Sequence, residues 1–368
     1  MIKVDQAFQP SYRLARKAFL EAASMHGLPS FSYNLDLPGQ EGEQLAMDVV
    51  RDGPADADRI LMVSSGCHGV EGFCGSGVQV YALHDEAWRN RARAAGVTVL
   101  YVHALNPHGF SFARRVTHEN VDLNRNFVDF SRPLPHNPYY RELDPLLLPA
   151  QWPPGPDSQA AMQAYMQTHG IDGLQNAVTP GQYEIPDGLF FGGQAPTWSN
   201  RTVRQLLREH VSHARQLAWI DVHTGLGANG VGERILSTRD DALAYQRAQA
   251  WWNMGDDVKV TSIYDGSSTS ARLDGLMCLS VYDECPETEY TGIALEFGTV
   301  PMTQVMDALR ADHWCHRYAS EATPAQVNAA RAQAMAAFFD ESLAWKGQII
   351  AQSRQVLHQA VDGLSASH

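Results

Sequence analysis

Arg59-Ile60-Leu61-Met62-Val63-Ser64-Ser65 runs into Gly66-Cys67-His68-Gly69-Val70-Glu71, and this stretch decides the fold. Its first half reads as a strand buried on both faces, which belongs in a sheet covered by helices on each side. Its second half supplies a flexible turn and then a histidine and a carboxylate three residues apart. Working outward, residues 73–94 read as helix and Val97 to Val102 as a second buried strand, which together make a βαβ unit. Residues 11–26 read as a helix closed by Gly27. Further on, Ser199 is expected to cap a helix reaching about His213, and Gln216 to Val222 forms a strand that delivers His223. Ile293 to Phe297 is a short apolar strand carrying Glu296. Thr323-Pro324 is an N-cap and first-turn pair opening a helical tail, broken near Asp340. The alternation predicts an α/β fold, a mainly parallel mixed sheet with helices on both faces. In such sheets sites gather at the carboxyl ends of strands.

The chain has 368 residues, 44% of them hydrophobic, enough to bury a large core. A formal charge of −13 and the lack of a basic run exclude a nucleic-acid backbone as partner. The N-terminal stretch is too polar for a secretory segment and no run of about 18 apolar residues occurs, so the reading is a cytoplasmic protein with no membrane partner. Five cysteines, an odd number, argue against a disulfide framework. Cys67, beside His68, is expected to be a buried thiol packed under the site. Eight prolines between Ser131 and Pro156 predict a long surface excursion.

Four islands carry the chemistry. His68 and Glu71 can face one side of a turn, and His223 from a distant strand completes a set of two imidazoles and one carboxylate, a donor set suited to zinc. His84, His103, His108 and His118 compete as ligands. Val121-Asp122-Leu123-Asn124-Arg125-Asn126-Phe127 offers an Arg fork and an Asn donor for an anionic group, and Arg114 and Arg115 stand about ten residues earlier as cations for a scissile carbonyl. Against this stands an ordinary ion pair of that Arg with Asp122 or Asp129. Glu296 lies in an apolar strand, where an unpaired charge is costly, so it should adjoin a metal, an Arg or a cavity, or else close the sheet end in a salt bridge. A general base beside activated water meets that requirement.

In this order the islands resemble the zinc carboxypeptidases of the carboxypeptidase A superfamily, whose two-His, one-Glu site is a standard example of catalytic zinc. The resemblance covers roughly residues 55–300 and includes Asn106-Pro107-His108-Gly109-Phe110, similar to the family's turn upstream of its Asn-Arg pair. It implies the three-layer zinc carboxypeptidase/phosphorylase-hydrolase-like fold as one catalytic domain over 1–368, with a proline-rich insertion near 131–156 and a helical tail from 324. It implies one zinc per chain on His68, Glu71 and His223, a carboxylate clamp of Asn124 and Arg125, and Glu296 as base. The carbonyl-polarising Arg carries to Arg115 with Arg114 close behind, and the family's mobile tyrosine to Tyr264. The substrate implied is a peptide with a free carboxylate, and the pattern looks like a bacterial, uncharacterised branch.

Other readings compete. The aspartoacylase and succinylglutamate desuccinylase group resembles the same metal set and would take an N-acyl amino acid; the short step from Arg115 to Asn124 favours it, and the Asn-Pro-x-Gly-Phe turn favours carboxypeptidase. Gly225-Leu226-Gly227-Ala228-Asn229-Gly230 matches a dinucleotide fingerprint, but the following residues look extended where a helix is required. A non-catalytic binding module on the same scaffold is the third reading.

Overall fold

The computed structural model describes residues 2–255 and 257–366. Its eight described strands form one sheet: β1 (Ser30–Pro38), β2 (Gln44–Asp52), β3 (Arg59–Ser65), β4 (Thr98–His103), β5 (Gln216–Asn229), β6 (Gly232–Leu236), β7 (Val260–Thr261) and β8 (Glu289–Gly298). Their order across the sheet is β1-β2-β4-β3-β5-β8-β6-β7. The central strands β4, β3, β5 and β8 are parallel, while β1, β2 and β6 join antiparallel. The fold is therefore α/β on a mixed, mostly parallel sheet.

The apolar run that decided the sequence reading is β3 itself, fully enclosed after Arg59 between β4 and β5. Side chains alternate across the sheet, so successive residues of β5 feed different cores. Ile220 and Val222 pack with the helices Tyr12–Met25, Gly72–His84 and Leu343–Ala366, whereas Leu217 and Trp219 pack with the helix Trp198–His210 on the opposite face. Two cores thus sandwich the sheet. Among the described residues, no helix is long and apolar enough to cross a membrane.

Several sequence expectations need adjustment. The region 73–94 is two helices, Gly72–His84 and Glu86–Ala94, because Asp85 leaves helical geometry and caps the second through Trp88 N–H. Thr197, not Ser199, caps the helix Trp198–His210, its hydroxyl accepting from Asn200 N–H at 3.1 Å. The proline-rich stretch is not a bare surface excursion. It holds a helix, Tyr140–Leu147, whose Tyr140, Leu143 and Leu147 fall on one side and are buried. Proline removes a donor but does not prevent a short helix from burying an apolar face. The segment Gly225 to Gly230 continues β5 and turns into β6, and no helix opens on its third glycine.

Candidate metal centre

β3 and β5 run parallel in register, with Ser65 opposite Val222, so their carboxyl ends present the turn at His68 and the side chain of His223 at one level. Glu71 closes the single 3-10 turn Gly69–Glu71 that follows His68. The turn is held from outside: Gly69 N–H donates to Arg115 O at 3.0 Å and Val70 N–H to Arg114 O at 2.9 Å. The Asn106 to Phe110 turn packs against it so closely that a Cβ on Gly69 would sit 2.0 Å from the carbonyl carbon of Gly109. Gly69→Ala should therefore cost about 3 kcal/mol of stability, the upper range for an overpacked site, read as a lowered midpoint in denaturant unfolding. An unchanged midpoint would mean that the turn is free to move.

The two imidazoles and the carboxylate converge. His68 Nδ1 lies 2.8 Å from Glu71 Oε1 and His223 Nδ1 lies 2.9 Å from Glu71 Oε2. The far side of the His223 ring meets buried Asp221, 2.7 Å from Nε2, whereas His68 Nε2 lies 2.8 Å from Arg115 Nη2 and 3.2 Å from buried Asp122. Metal-binding histidines are typically oriented as His223 is, with the outer ring nitrogen held by a carboxylate and the inner one free to ligate. Asp221 is itself held by Ser64 Oγ at 2.5 Å. The ligand atoms of His68, Glu71 and His223 all lie within 4.8 Å of one another. Cys67, Asp221 and His223 also meet that limit, but Cys67 does not line the cavity into which His68, Glu71 and His223 open. The first set fits zinc better, with imidazole and carboxylate donors lining a cavity.

The charges around this set balance one another. Burial alone would raise the Glu71 carboxyl, yet His68 and His223 hold it far below the usual carboxylate range. Burial acts likewise on Asp122, and the guanidinium groups of Arg115 and then Arg125 hold it low. Burial would lower His223, but Asp221 and Glu71 raise it well above an ordinary histidine. Glu296 is pushed up to about 8, first by burial and then by the charge of Glu71. It stands opposite His223 in the β5–β8 register and accepts from Leu226 N–H at 3.1 Å. No Lys, Arg or His nitrogen pairs with it among the described residues, so a structural salt bridge does not account for it.

His68, Glu71, Arg115, Asn124, Arg125, His223 and Glu296 all line one cavity of about 1070 Å³ that includes its open mouth. Arg115 Nε donates to Asp122 at 2.9 Å, and its Nη1 lies 3.3 Å from Glu71. Arg125 donates from Nε at 2.9 Å and also from Nη2 to Thr179 O, and from Nη1 to Asn124 O at 3.1 Å, leaving one N–H on each Nη for a ligand. Asn124 Oδ1 accepts from Met277 N–H at 2.9 Å. Phe190 lies under both guanidinium groups, 5.3 Å from Arg115 and 5.6 Å from Arg125.

Two expected residues lie elsewhere. Arg114 turns outward to Asp312 at 2.9 Å and to Asn120 at 3.1 Å. Tyr264 donates its hydroxyl to Thr238 O at 2.8 Å and does not line the cavity, although its neighbour Ile263 does. The competing histidines also stand apart: His103 bonds Ser76, and His108 stacks on Phe112. Sequence reasoning missed Asp221 and gave Asp122 no part in the site. The signal for Asp221 was its position two residues before His223 in a strand, which puts both side chains on one face.

No curated protein matches the chain in sequence. Solved structures that resemble it include metallo-carboxypeptidases, a zinc-dependent exopeptidase, a murein-tripeptide amidase and a glutaminyl cyclase, all distant. The bovine thrombin-activatable fibrinolysis inhibitor in complex with a tick carboxypeptidase inhibitor is 11% identical, with 89% of this chain and 96% of that one covered and a TM-score of 0.48. A metallo-carboxypeptidase from Pseudomonas aeruginosa in complex with (2-guanidinoethylmercapto)succinic acid is 13% identical, with 97% and 71% covered and a TM-score of 0.42. A zinc-dependent exopeptidase from Parabacteroides distasonis is 10% identical, with 96% and 91% covered and a TM-score of 0.40. In sequence, residues 8–352 match the family described as a protein of unknown function, DUF2817, and the chain belongs to that family.

Proposed function

We propose that this protein is a zinc-dependent hydrolase that cleaves a peptide or amide bond next to a free carboxylate, with one zinc per chain on His68, Glu71 and His223. One observation carries the reading: both Nδ1 atoms face the two oxygens of Glu71, and the ligand atoms of His68, Glu71 and His223 all lie within 4.8 Å of one another. A zinc ion held there supplies Lewis acidity, which activates water near neutral pH and polarises a carbonyl.

The remaining steps belong to the chain's own residues. Arg125 and Asn124 hold the substrate carboxylate and so fix the position of the scissile bond. Arg115, between Glu71 and Asp122, offers positive charge where the carbonyl oxygen becomes negative. Glu296 takes the proton from the attacking water and returns it to the leaving nitrogen as the C–N bond breaks, giving one new carboxylic acid and one free amine. Its elevated carboxyl suits a group that must both accept and release a proton near neutrality.

The clamp gives the test of this reading. A charge-assisted hydrogen bond is worth about 1.5–3 kcal/mol, so amidating the substrate carboxylate should lower kcat/KM by roughly ten- to a hundredfold or more. Arg125→Ala should cause a similar loss on the acid and little further loss on the amide, since both changes delete one contact. Equal cleavage of acid and amide by the zinc-loaded, unmodified protein would refute the clamp.

A further inference from the structure

The cavity has a second wall that the reaction above does not use. Met302, Val305, Met306 and Leu309 recur at the spacing of one helix face on Met302–Arg317, and all four line the cavity. Phe338 joins them: its carbonyl accepts from Thr224 Oγ1 at 2.7 Å, and its ring packs over Gly225, where a Cβ would come within 2.8 Å. This wall is anchored directly after His223, beside Leu226, whose N–H reaches Glu296. It contains no charged or polar side chain. Val305, Met306, Leu309 and Phe338 are each less than a tenth exposed, so the wall is enclosed and is not the floor of an open groove.

Its position relative to the clamp gives it meaning. Val305, Met306, Leu309 and Phe338 belong to the core on one face of the sheet. The apolar residues on the clamp side, among them Trp219, Ile235, Leu276 and Met277, belong to the core on the other face. Asn124 is bonded to Met277 of that second core while Arg125 stacks on Phe190 of the first, so the clamp stands where the two cores meet and shares no bonded partner with Met302 to Leu309 or Phe338. The part of the substrate beyond the scissile bond then lies toward Met302 to Leu309. A peptide continuing that way would bring unpaired backbone N–H and C=O groups against a surface with nothing to bond them, which is costly. A hydrocarbon chain meets no such cost.

Resting on the hydrolase reading above, we infer that the substrate is an N-acyl amino acid with an aliphatic acyl chain, and that Met302, Val305, Met306, Leu309 and Phe338 bind that chain. This distinguishes the protein from a deacylase of acidic acyl groups, since nothing on this wall would pair with a second carboxylate.

The test uses N-alkanesulfonyl-L-leucines, whose sulfonamide resists hydrolysis, titrated calorimetrically into the zinc-loaded protein. Leucine suits the apolar residues on the clamp side. Lengthening methanesulfonyl to hexanesulfonyl should tighten Kd at least tenfold, because even one methylene in an apolar pocket is worth about that much. Met302→Glu puts a charge on the wall at the first turn of a helix, where an acidic residue is well tolerated, and should abolish the gain. A Kd independent of chain length, a gain that survives Met302→Glu, or tighter binding of N-(3-carboxypropanesulfonyl)-leucine than of N-hexanesulfonyl-leucine would overturn the inference. Hydrolysis of N-hexanoyl-leucine is followed separately. Chain-length-dependent binding without any hydrolysis would refute the hydrolase reading alone, and hydrolysis without chain-length dependence would refute this inference alone.

Discussion

Glu296→Gln should bind a full complement of zinc, unfold at the same temperature as the unmodified protein and lose between about a hundredfold and ten-thousandfold in kcat, the usual worth of a positioned general base. The substitution is isosteric, and its amide oxygen can still accept from Leu226 N–H, the contact that holds the carboxylate now. It also removes a charge that burial disfavours, so the fold has no reason to weaken. Zinc content by elemental analysis, thermal unfolding and single-turnover cleavage separate the three quantities. Near-normal turnover in a zinc-loaded variant would exclude Glu296 as the base, and with it the proposed path of the proton.

His223→Ala should lose zinc and hydrolysis together. The imidazole is one of the three proposed ligands, and its removal takes one partner each from Glu71 and Asp221, both buried. Asp221→Asn should behave differently. It keeps the imidazole but weakens the group that orients it, which typically costs ten- to a hundredfold in metal affinity. Competition with a chelator of known affinity reads both variants on one scale. Full zinc occupancy in His223→Ala would rule out His223 as a ligand, and unchanged affinity in Asp221→Asn would leave Asp221 a merely structural partner of Ser64.

How much of this was legible beforehand depended on how local the signal was. β3 was read to its exact ends because seven residues enclosed by neighbouring strands must be apolar nearly throughout. The helix opening at Pro324 was legible from its cap, where Thr323 and Gln326 bond reciprocally. β1 was missed because it is an edge strand: of its nine residues only Leu35 is buried, so the pattern that marks a strand is faint. The helix Tyr140–Leu147 was hidden behind prolines that locally argue against it. The convergence of His68 with Glu71 could be anticipated because they share a turn. The outward turn of Arg114 could not, since Asp312 lies almost two hundred residues away and only the tertiary fold brings them together.

Asp122 has a consequence of its own. One fully buried carboxylate faces Arg115 Nε, His68 Nε2 and the backbone N–H of Asn124, and lies 3.8 Å from Arg125. The imidazole that would hold the metal and the residues that would grip the substrate therefore lean on the same two oxygens. Whatever steadies His68 also steadies the clamp, and the coupling must run equally in both directions. Metal loading and substrate capture in such an arrangement are cooperative, so the apoprotein should bind a carboxylate ligand more weakly by the same factor by which that ligand strengthens its hold on zinc.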